Sequence, residues 1–463
     1  MPNTGDLERV PGKEMQMNSR HGDESASLTR SLALILNAVP LAIKVRAMPQ
    51  HLIVMGALAL SLFLLALLGA ASPARAYLGG EDFVPGQVVV KLEPTTGSTI
   101  VEINADYGLT VLDELPGSPG IYLLKVPAGS DTEGVVGQLV NDSRLSYAEP
   151  NFVAKTAEGD GVHKAWGTSD VNGSSEQYAA SALGLPCAAN VSLGQDTTVA
   201  VIDTGAQLDH PQLAPNFEDV ARYDFVDNDR NPKESRVGLD EDGDGLKDEL
   251  VGHGTHVAGI VDLVAPAAKI MPLKVLDSEG YGDIFTIAKA ISYAKSNGAD
   301  VINLSLGSSH RSAMLREVIK DTTKNGVVVA AAAGNSNTTV PHYPAAGNGT
   351  AASADGLVAV TAVDMYDKKS DYANYGTWVD IAAPGNDIRS TFPINLYANW
   401  SGTSMATPFI SGQAALIHAV YGSLDPVGVE TKIRNSAQPL TLQNLTYVGM
   451  LGTGEANVCA SLR

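Results

Sequence analysis

Cysteine is scarce. Only Cys187 and Cys459 occur in 463 residues, too few for a disulfide-built scaffold or a zinc ribbon. The pair suits one bridge tying two ends of a domain, or two free thiols. Cations are also in short supply. Lys and Arg number 31 against 51 Asp and Glu, a net charge of −20. Gripping a phosphate backbone needs clustered positive charge, so nucleic acid is excluded as the partner. Aromatic residues make up 6% and charged residues 18%, yet hydrophobic residues reach 44%. That balance belongs to a packed globular chain, and the length allows more than one domain. Internal repeats and low-complexity tracts are lacking as well.

One long apolar run is present, "HLIVMGALALSLFLLALLGAASPARA" (51–76). Lys44 and Arg46 precede it, and it closes on small residues at Ala74-Arg75-Ala76. An apolar core followed by an A-x-A site is the pattern of a secretory leader. It makes 1–76 an N-terminal extension with a signal peptide, Met48 a second candidate start, and the protein secreted to the outside of the cell. The competing reading is an uncleaved membrane anchor over residues 52–70.

Residues 77–157 form a small module. "GQVVVKL" and "GIYLLKV" are strand-like, and "TEGVVGQLVND" reads as a short helix. The segment "YAEPNFVAKTAEGDG" is polar and reads as a closing loop. The texture changes from about residue 195. Short apolar runs, "TTVAVIDTG", "AKIMPLKVL", "ADVINLSLG", "GVVVAAAAGN" and "GLVAVTAV", alternate with helical segments. "FTIAKAISYAKSNG" and "SAMLREVIKDTTKNG" both stop at Asn-Gly, a helix C-terminal signal. Alternating strand and helix predict an α/β fold, its parallel sheet covered on both faces.

Such sheets carry their sites at the carboxyl ends of strands. Asp203 stands at one such end, in "VAVIDTG". His253 and His256 lie three apart in "GHGTHVAGI", where a helix starts between glycines. They could bind a metal, but no third ligand is near. Ser404 lies in "NWSGTSMATPFISG", at the head of an apolar helix whose first turn is expected to tolerate Pro408. Asp, His and Ser are the parts of a nucleophilic relay: the histidine takes the serine's proton, and the carboxylate fixes its tautomer. A separate motif, "DEDGDGLKDE", sets Asp240, Asp242 and Asp244 at alternate positions, then Gly245, the Leu246 carbonyl and Asp248. This is the D-x-D-x-D-G pattern of a Ca2+ loop, although Val251 stands where a full EF-hand has its bidentate Glu. No organic cofactor is implied.

The blocks "VAVIDTGAQLDHPQL", "GHGTHVAGI" and "GTSMATPFISG" resemble, in order, the three signature blocks of the subtilisin-like serine proteases, or subtilases. The resemblance covers roughly 160–463, and the module at 77–157 resembles the family's propeptide. It implies a subtilisin-like three-layer fold with a mostly parallel central sheet, preceded by a small α+β propeptide domain. The catalytic domain is then 158–463. The implied protein is a secreted endopeptidase, made as a self-processing zymogen, monomeric, acting on proteins and peptides and inhibited by its own propeptide. The alternative is a catalytically inactive subtilase fold that only binds. Asp203 would orient, His253 act as general base and Ser404 as nucleophile, with its hydroxyl exposed at the sheet edge. His256 would only pack. The side-chain amide of Asn335 and the Ser404 N–H would hold the oxyanion. Ser305, Leu306 and Gly307 would pair with an extended substrate, Gly307 leaving it room, and Ala332, Ala333 and Gly334 would form a pocket wall. Two departures, a short segment after the histidine helix and Gln212 in place of the family's Asp, put its usual tight calcium site in doubt.

Overall fold

The computed structural model describes residues 82–157, 175–238, 240, 245–347, 354–440 and 442–463. The leader expected within 1–76 lies outside them. The N-terminal module consists of β1 (Phe83–Leu92), α1 (Ile100–Tyr107), β2 (Thr110–Glu114), β3 (Ile121–Lys125), α2 (Thr132–Leu139) and β4 (Leu145–Thr156). Its strands pair antiparallel in the order β4-β1-β3-β2. Alternate residues of β1 face opposite ways. Val88 and Val90 pack with Ile103 and Leu139 of the two helices, whereas Val89 joins the core of the following domain.

The main domain opens with two short helices, α3 (Tyr178–Ala182) and α4 (Leu185–Ala188). Then come β5 (Thr198–Asp203), β6 (Tyr223–Asp224), α5 (His253–Val264), β7 (Lys269–Lys274), β8 (Tyr281–Asp283) and α6 (Ile284–Ser296). They are followed by β9 (Val301–Leu304), β10 (Leu306–Gly307), α7 (Ala313–Lys324), β11 (Val328–Ala332), β12 (Leu357–Val363) and β13 (Ile381–Pro384). The hairpin β14 (Ile388–Phe392) and β15 (Leu396–Trp400) leads into α8 (Thr403–Val420), α9 (Pro426–Asn435) and α10 (Val458–Ser461). Seven strands form one sheet in the order β13-β12-β11-β9-β5-β7-β6, every pair parallel. The order reverses at β5, where a crevice opens at the strands' carboxyl ends. Val199 and Val201 of β5 face the core built with α5 and α8, and Ala200 and Ile202 face the one built with α6 and α7. A strand buried on both faces is apolar throughout, which is why these runs stand out in the sequence. The Asn-Gly stops fall at the C-caps of α6 and α7, Asn297 and Asn325.

Residues 147–156 of the segment read as a closing loop belong instead to β4, twelve residues long, and 158–161 lie outside the described residues. Its first half pairs with β1, and its second half lies between β8 and β10 of the main domain. Polar residues along it are spent on the other domain. Glu149 accepts hydrogen bonds from Ser312 Oγ at 2.6 Å, Ala313 N at 2.8 Å and Met314 N at 3.2 Å, capping α7. Asn151 donates to Asp283 Oδ1 at 3.0 Å and accepts from Phe285 N at 3.2 Å, capping α6. A carboxylate is favoured at a helix N-terminus, whose amides point outward. Ion pairs Lys91–Glu317 and Lys289–Asp113 add to this contact.

Cys187 on α4 and Cys459 on α10 are joined in a disulfide, with their Cα atoms 5.6 Å apart. The bridge ties the start of the main domain to its last helix. Replacing both cysteines with serine is expected to cost about 2–4 kcal/mol of stability. Thermal melts of the two proteins check this, and coincident melts would show that the bridge contributes nothing.

Candidate active site

Asp203 ends the central strand β5, and His253 is the first residue of α5. Their side chains meet at 2.7 Å, Asp203 Oδ1 to His253 Nδ1, and both residues are fully buried. A carboxylate oxygen accepts, so Nδ1 carries the hydrogen and Nε2 is left as the basic nitrogen. The Thr204 amide donates to the same Oδ1 at 2.7 Å. Such closeness needs glycine beside the histidine. A β-carbon on Gly254 would fall 2.1 Å from the Gly205 carbonyl oxygen and 3.2 Å from Asp203 Cβ.

A second carboxylate holds this pair together. Glu234 is buried and accepts from the Thr204 and Thr255 hydroxyls, from Gly252 N at 3.0 Å and from Gly254 N at 3.2 Å. Two of these donors flank His253 and one follows Asp203. Glu234 therefore fastens the head of α5 to the end of β5, capping the helix from outside its own chain segment. Burial pushes its carboxyl above the usual range, opposed by the two threonine hydrogen bonds.

Ser404 is the second residue of α8. Pro408 lies inside that helix, beyond the first turn where it was expected. Proline has no N–H, so the carbonyl four residues back, that of Ser404, lacks its helical donor. The Ser305 hydroxyl takes that place at 2.8 Å. Ser404 Oγ in turn donates to the Ser305 carbonyl at 3.1 Å. Ser305 thus anchors the serine from both directions. Ser404 is fully buried, not exposed at a sheet edge, in the chain that carries its N-terminal module.

Asn335 follows β11 and faces the start of α8. Its Oδ1 accepts from Thr403 N and Thr403 Oγ1, both at 2.9 Å. The same hydroxyl accepts from Gly334 N at 3.1 Å. With Oδ1 held this way, the amide orientation is set and Nδ2 points away from Thr403. His256 has a different duty. Its Nε2 donates to the carbonyls of Ile388 and Ala398, each at 3.0 Å, one on either strand of the β14–β15 hairpin. Burial holds its pKa down to about 3, so it is neutral. Trp400 lies edge-on to both histidine rings, at centroid distances of 5.5 and 5.8 Å.

The tail of β4 pairs beside the segment that holds Ser404. Lys155 pairs with Gly307 and Thr156 with Leu306, antiparallel. Ser305 lies one position further along. The room at Gly307 is taken by His342 and Tyr343, since a β-carbon there would meet the His342 ring at 2.3 Å and the Tyr343 carbonyl at 2.6 Å. Ala332 ends β11 beside Gly334, whereas the Ala333 side chain belongs to the core beneath. Of the acidic loop, Asp242 and Asp244 lie outside the described residues. Among the described residues no group of three metal-ligating side chains is gathered. Asp240 Oδ1 is buried without a hydrogen-bond partner, which suits a cation. Asp248 accepts from Val237 N at 2.9 Å and Gly238 N at 3.0 Å, and the Leu246 side chain is half exposed. Gln212 binds Asp262 at 2.7 Å and accepts from the Tyr397 hydroxyl at 2.9 Å. Glu234, Thr403 and Trp400 were not singled out in the sequence. Thr403 stands next to the serine, but Glu234 sits in a loop without any pattern.

A histidine bound to a buried aspartate at the end of the central strand, with a buried serine at the head of α8 and an asparagine held to the residue before it, suits a serine hydrolase on an open α/β fold. Comparison with known proteins narrows the class. Residues 194–454 match the subtilase family, Peptidase_S8, and 70–151 match the fervidolysin N-terminal prodomain. A thermophilic serine proteinase from Bacillus sp. (strain AK1) is 35% identical over 72% of this chain and 78% of its own length. Thermitase from Thermoactinomyces vulgaris is 37% identical over 58% of this chain and 90% of its own. The crystal structure of fervidolysin from Fervidobacterium pennivorans superimposes with a TM-score of 0.67 at 22% identity. That match covers 84% of this chain and 62% of the fervidolysin chain. The chain belongs to the subtilase family of serine endopeptidases and carries the family's N-terminal prodomain.

Glu234→Ala would leave two hydroxyls and the Gly252 amide without their acceptor in a dry site, Gly254 N keeping Thr204 Oγ1 at 2.9 Å. It is expected to destabilise the protein by at least about 2 kcal/mol, while Glu234→Gln, which keeps one acceptor oxygen, loses less. Denaturant unfolding in a Ser404→Ala background measures both. Equal midpoints for all three proteins would rule out the clamp.

Proposed function

We propose that the protein is a secreted endopeptidase, made as a monomeric zymogen, in which Asp203, His253 and Ser404 act as one relay. Ser404 Oγ attacks the carbonyl carbon of the scissile peptide as its proton passes to His253 Nε2. Asp203 keeps the imidazole in the required tautomer and stabilises its charged form. Asn335 Nδ2 and the Ser404 N–H donate to the oxyanion of the tetrahedral intermediate. The intermediate collapses, the C–N bond breaks, and His253 returns the proton to the leaving amine. Water, deprotonated by His253, then cleaves the acyl ester and frees Ser404.

The observation that carries this reading is the register of β4. Continued by one residue, it sets Ala157 opposite Ser305, the residue whose carbonyl accepts from Ser404 Oγ. The chain's own tail therefore lies where an extended substrate would lie, ending at the nucleophile. The leader is then 1–76, the inhibitory and folding module 77–157, and the peptidase 158–463, with self-cleavage between Ala157 and Glu158. Glu149 and Asn151, by capping α7 and α6, give the module a reason to stay bound after that cut.

Ser404→Ala is expected to leave the precursor uncut and to reduce hydrolysis by several orders of magnitude. The active protein, in a host lacking subtilases, should yield a mature chain whose first residue is Glu158. N-terminal sequencing reads both. A different first residue would move the register, and normal maturation of Ser404→Ala would assign the cut to another protease.

Calcium is proposed to bind the acidic loop through Asp240, Asp242, Asp244, the Leu246 carbonyl and Asp248. These four aspartates, with Glu241 among them, put five carboxylates in nine residues that repel one another, and a divalent cation would relieve that repulsion. The loop leads directly to Leu250, whose carbonyl accepts from the His253 amide, so ordering the loop steadies the head of α5. Binding stabilises by about 2.7 kcal/mol at a hundredfold excess over Kd. Thermal melting of an inactivated enzyme with calcium or chelator should therefore differ. Coincident melts, or a full calcium shift in Asp242→Asn with Asp244→Asn, would remove the site.

A further inference from the structure

A histidine stands between the ends of β10 and β11. Ser308 and Tyr343 exchange backbone hydrogen bonds at 2.7 and 2.8 Å, and the ring of the preceding His342 lies against Gly307. The His342 ring touches both walls. A β-carbon on Gly307 would fall 2.3 Å from its Cε1, and one on Gly334 would fall 3.1 Å from its Cγ. Its Nδ1 reaches the Ala332 carbonyl at 3.4 Å. That oxygen can only accept, so Nδ1 carries the hydrogen and the ring is tethered to the second wall. Gly307 is thus required by the imidazole itself, whereas a β-carbon on Gly334 would first meet Asn374 Nδ2 at 2.5 Å, and the ring occupies space between the two backbones.

We propose that His342 is a specificity-determining residue that makes the pocket for the residue before the scissile bond shallow. The enzyme then selects small side chains, Ala, Gly or Ser, and rejects Phe and Leu. This deepens the endopeptidase reading above and rests on it. The chain's own tail agrees: the residue brought opposite Ser305 is Ala157, which is buried with only a methyl group to place. A ring wedged between two backbones cannot yield to a large side chain without moving the Ser308–Tyr343 pairing that holds it. Hydrophobic pockets that exclude by size discriminate by about 10- to 200-fold for small differences in side-chain volume.

The test uses tetrapeptide anilides that differ only in the residue before the cleaved bond. For the mature enzyme, kcat/KM with Ala should exceed that with Phe by at least about tenfold. His342→Gly should shift that ratio at least about tenfold toward Phe. A preference for Phe in the unaltered enzyme, or an unchanged ratio in His342→Gly, overturns the proposal. In the full-length precursor, Ala157→Phe should stall self-processing, and adding His342→Gly should restore it. Ala157→Phe is read in the unaltered pocket, so its normal processing overturns the proposal even if His342→Gly does not fold. Turnover persisting in Ser404→Ala would overturn the site reading beneath, and the pocket with it. Loss of turnover there with an unchanged Ala-to-Phe ratio overturns the pocket alone.

Discussion

A carboxylate with no solvent and no cation must be met by hydrogen-bond donors, and Asp203 is met by His253 at 2.7 Å inside a fully buried site. Much of the surrounding structure serves that contact. The parallel sheet delivers Asp203 at its topological switch point. Gly254 lets α5 begin against the end of β5, and Glu234 ties the two together through the threonines that neighbour each residue. The histidine is thereby fixed as a tautomer before any substrate arrives. Preorganisation of this kind keeps reorganisation out of the chemical step.

The serine is held by a different device, built on a missing hydrogen bond. Pro408 deprives the Ser404 carbonyl of its helical donor, and Ser305 answers with its hydroxyl while its own carbonyl receives Ser404 Oγ. Ser305 adjoins the strand that pairs with the prodomain tail. One short segment therefore both holds Ser404 and adjoins the pairing with the prodomain tail. Thr403 does the same for Asn335 from the other side. The site is a meeting of strand ends and helix starts, where unsatisfied backbone groups are most available to be recruited.

Much of this was legible in the sequence. The apolar strands read clearly because burial on both faces makes them continuous runs, and the helices read clearly because their Asn-Gly stops are strong. Asp203, His253, Ser404 and Asn335 stood in recognisable blocks. β4 did not read as a strand because its polar residues, Glu149 and Asn151, are satisfied by helices distant in the chain, so no local pattern betrays them. Glu234 and His342 were invisible for the same reason. Each acts through contacts that only the folded chain creates, and a single Glu or His in a loop carries no periodicity. Ser404 was expected to be exposed, but the sequence could not reveal how closely the chain would cover it.

The central claim is that Ser404, activated by the buried His253–Asp203 pair, is the nucleophile. Covalent labelling of the mature protein by a fluorophosphonate tests it most directly, followed by peptide mapping. The prediction is a single adduct on Ser404, with labelling slowed at least about a thousandfold in a folded His253→Ala variant. A folded enzyme that hydrolyses peptides while Ser404 stays unlabelled, or one labelled equally fast without His253, would contradict it.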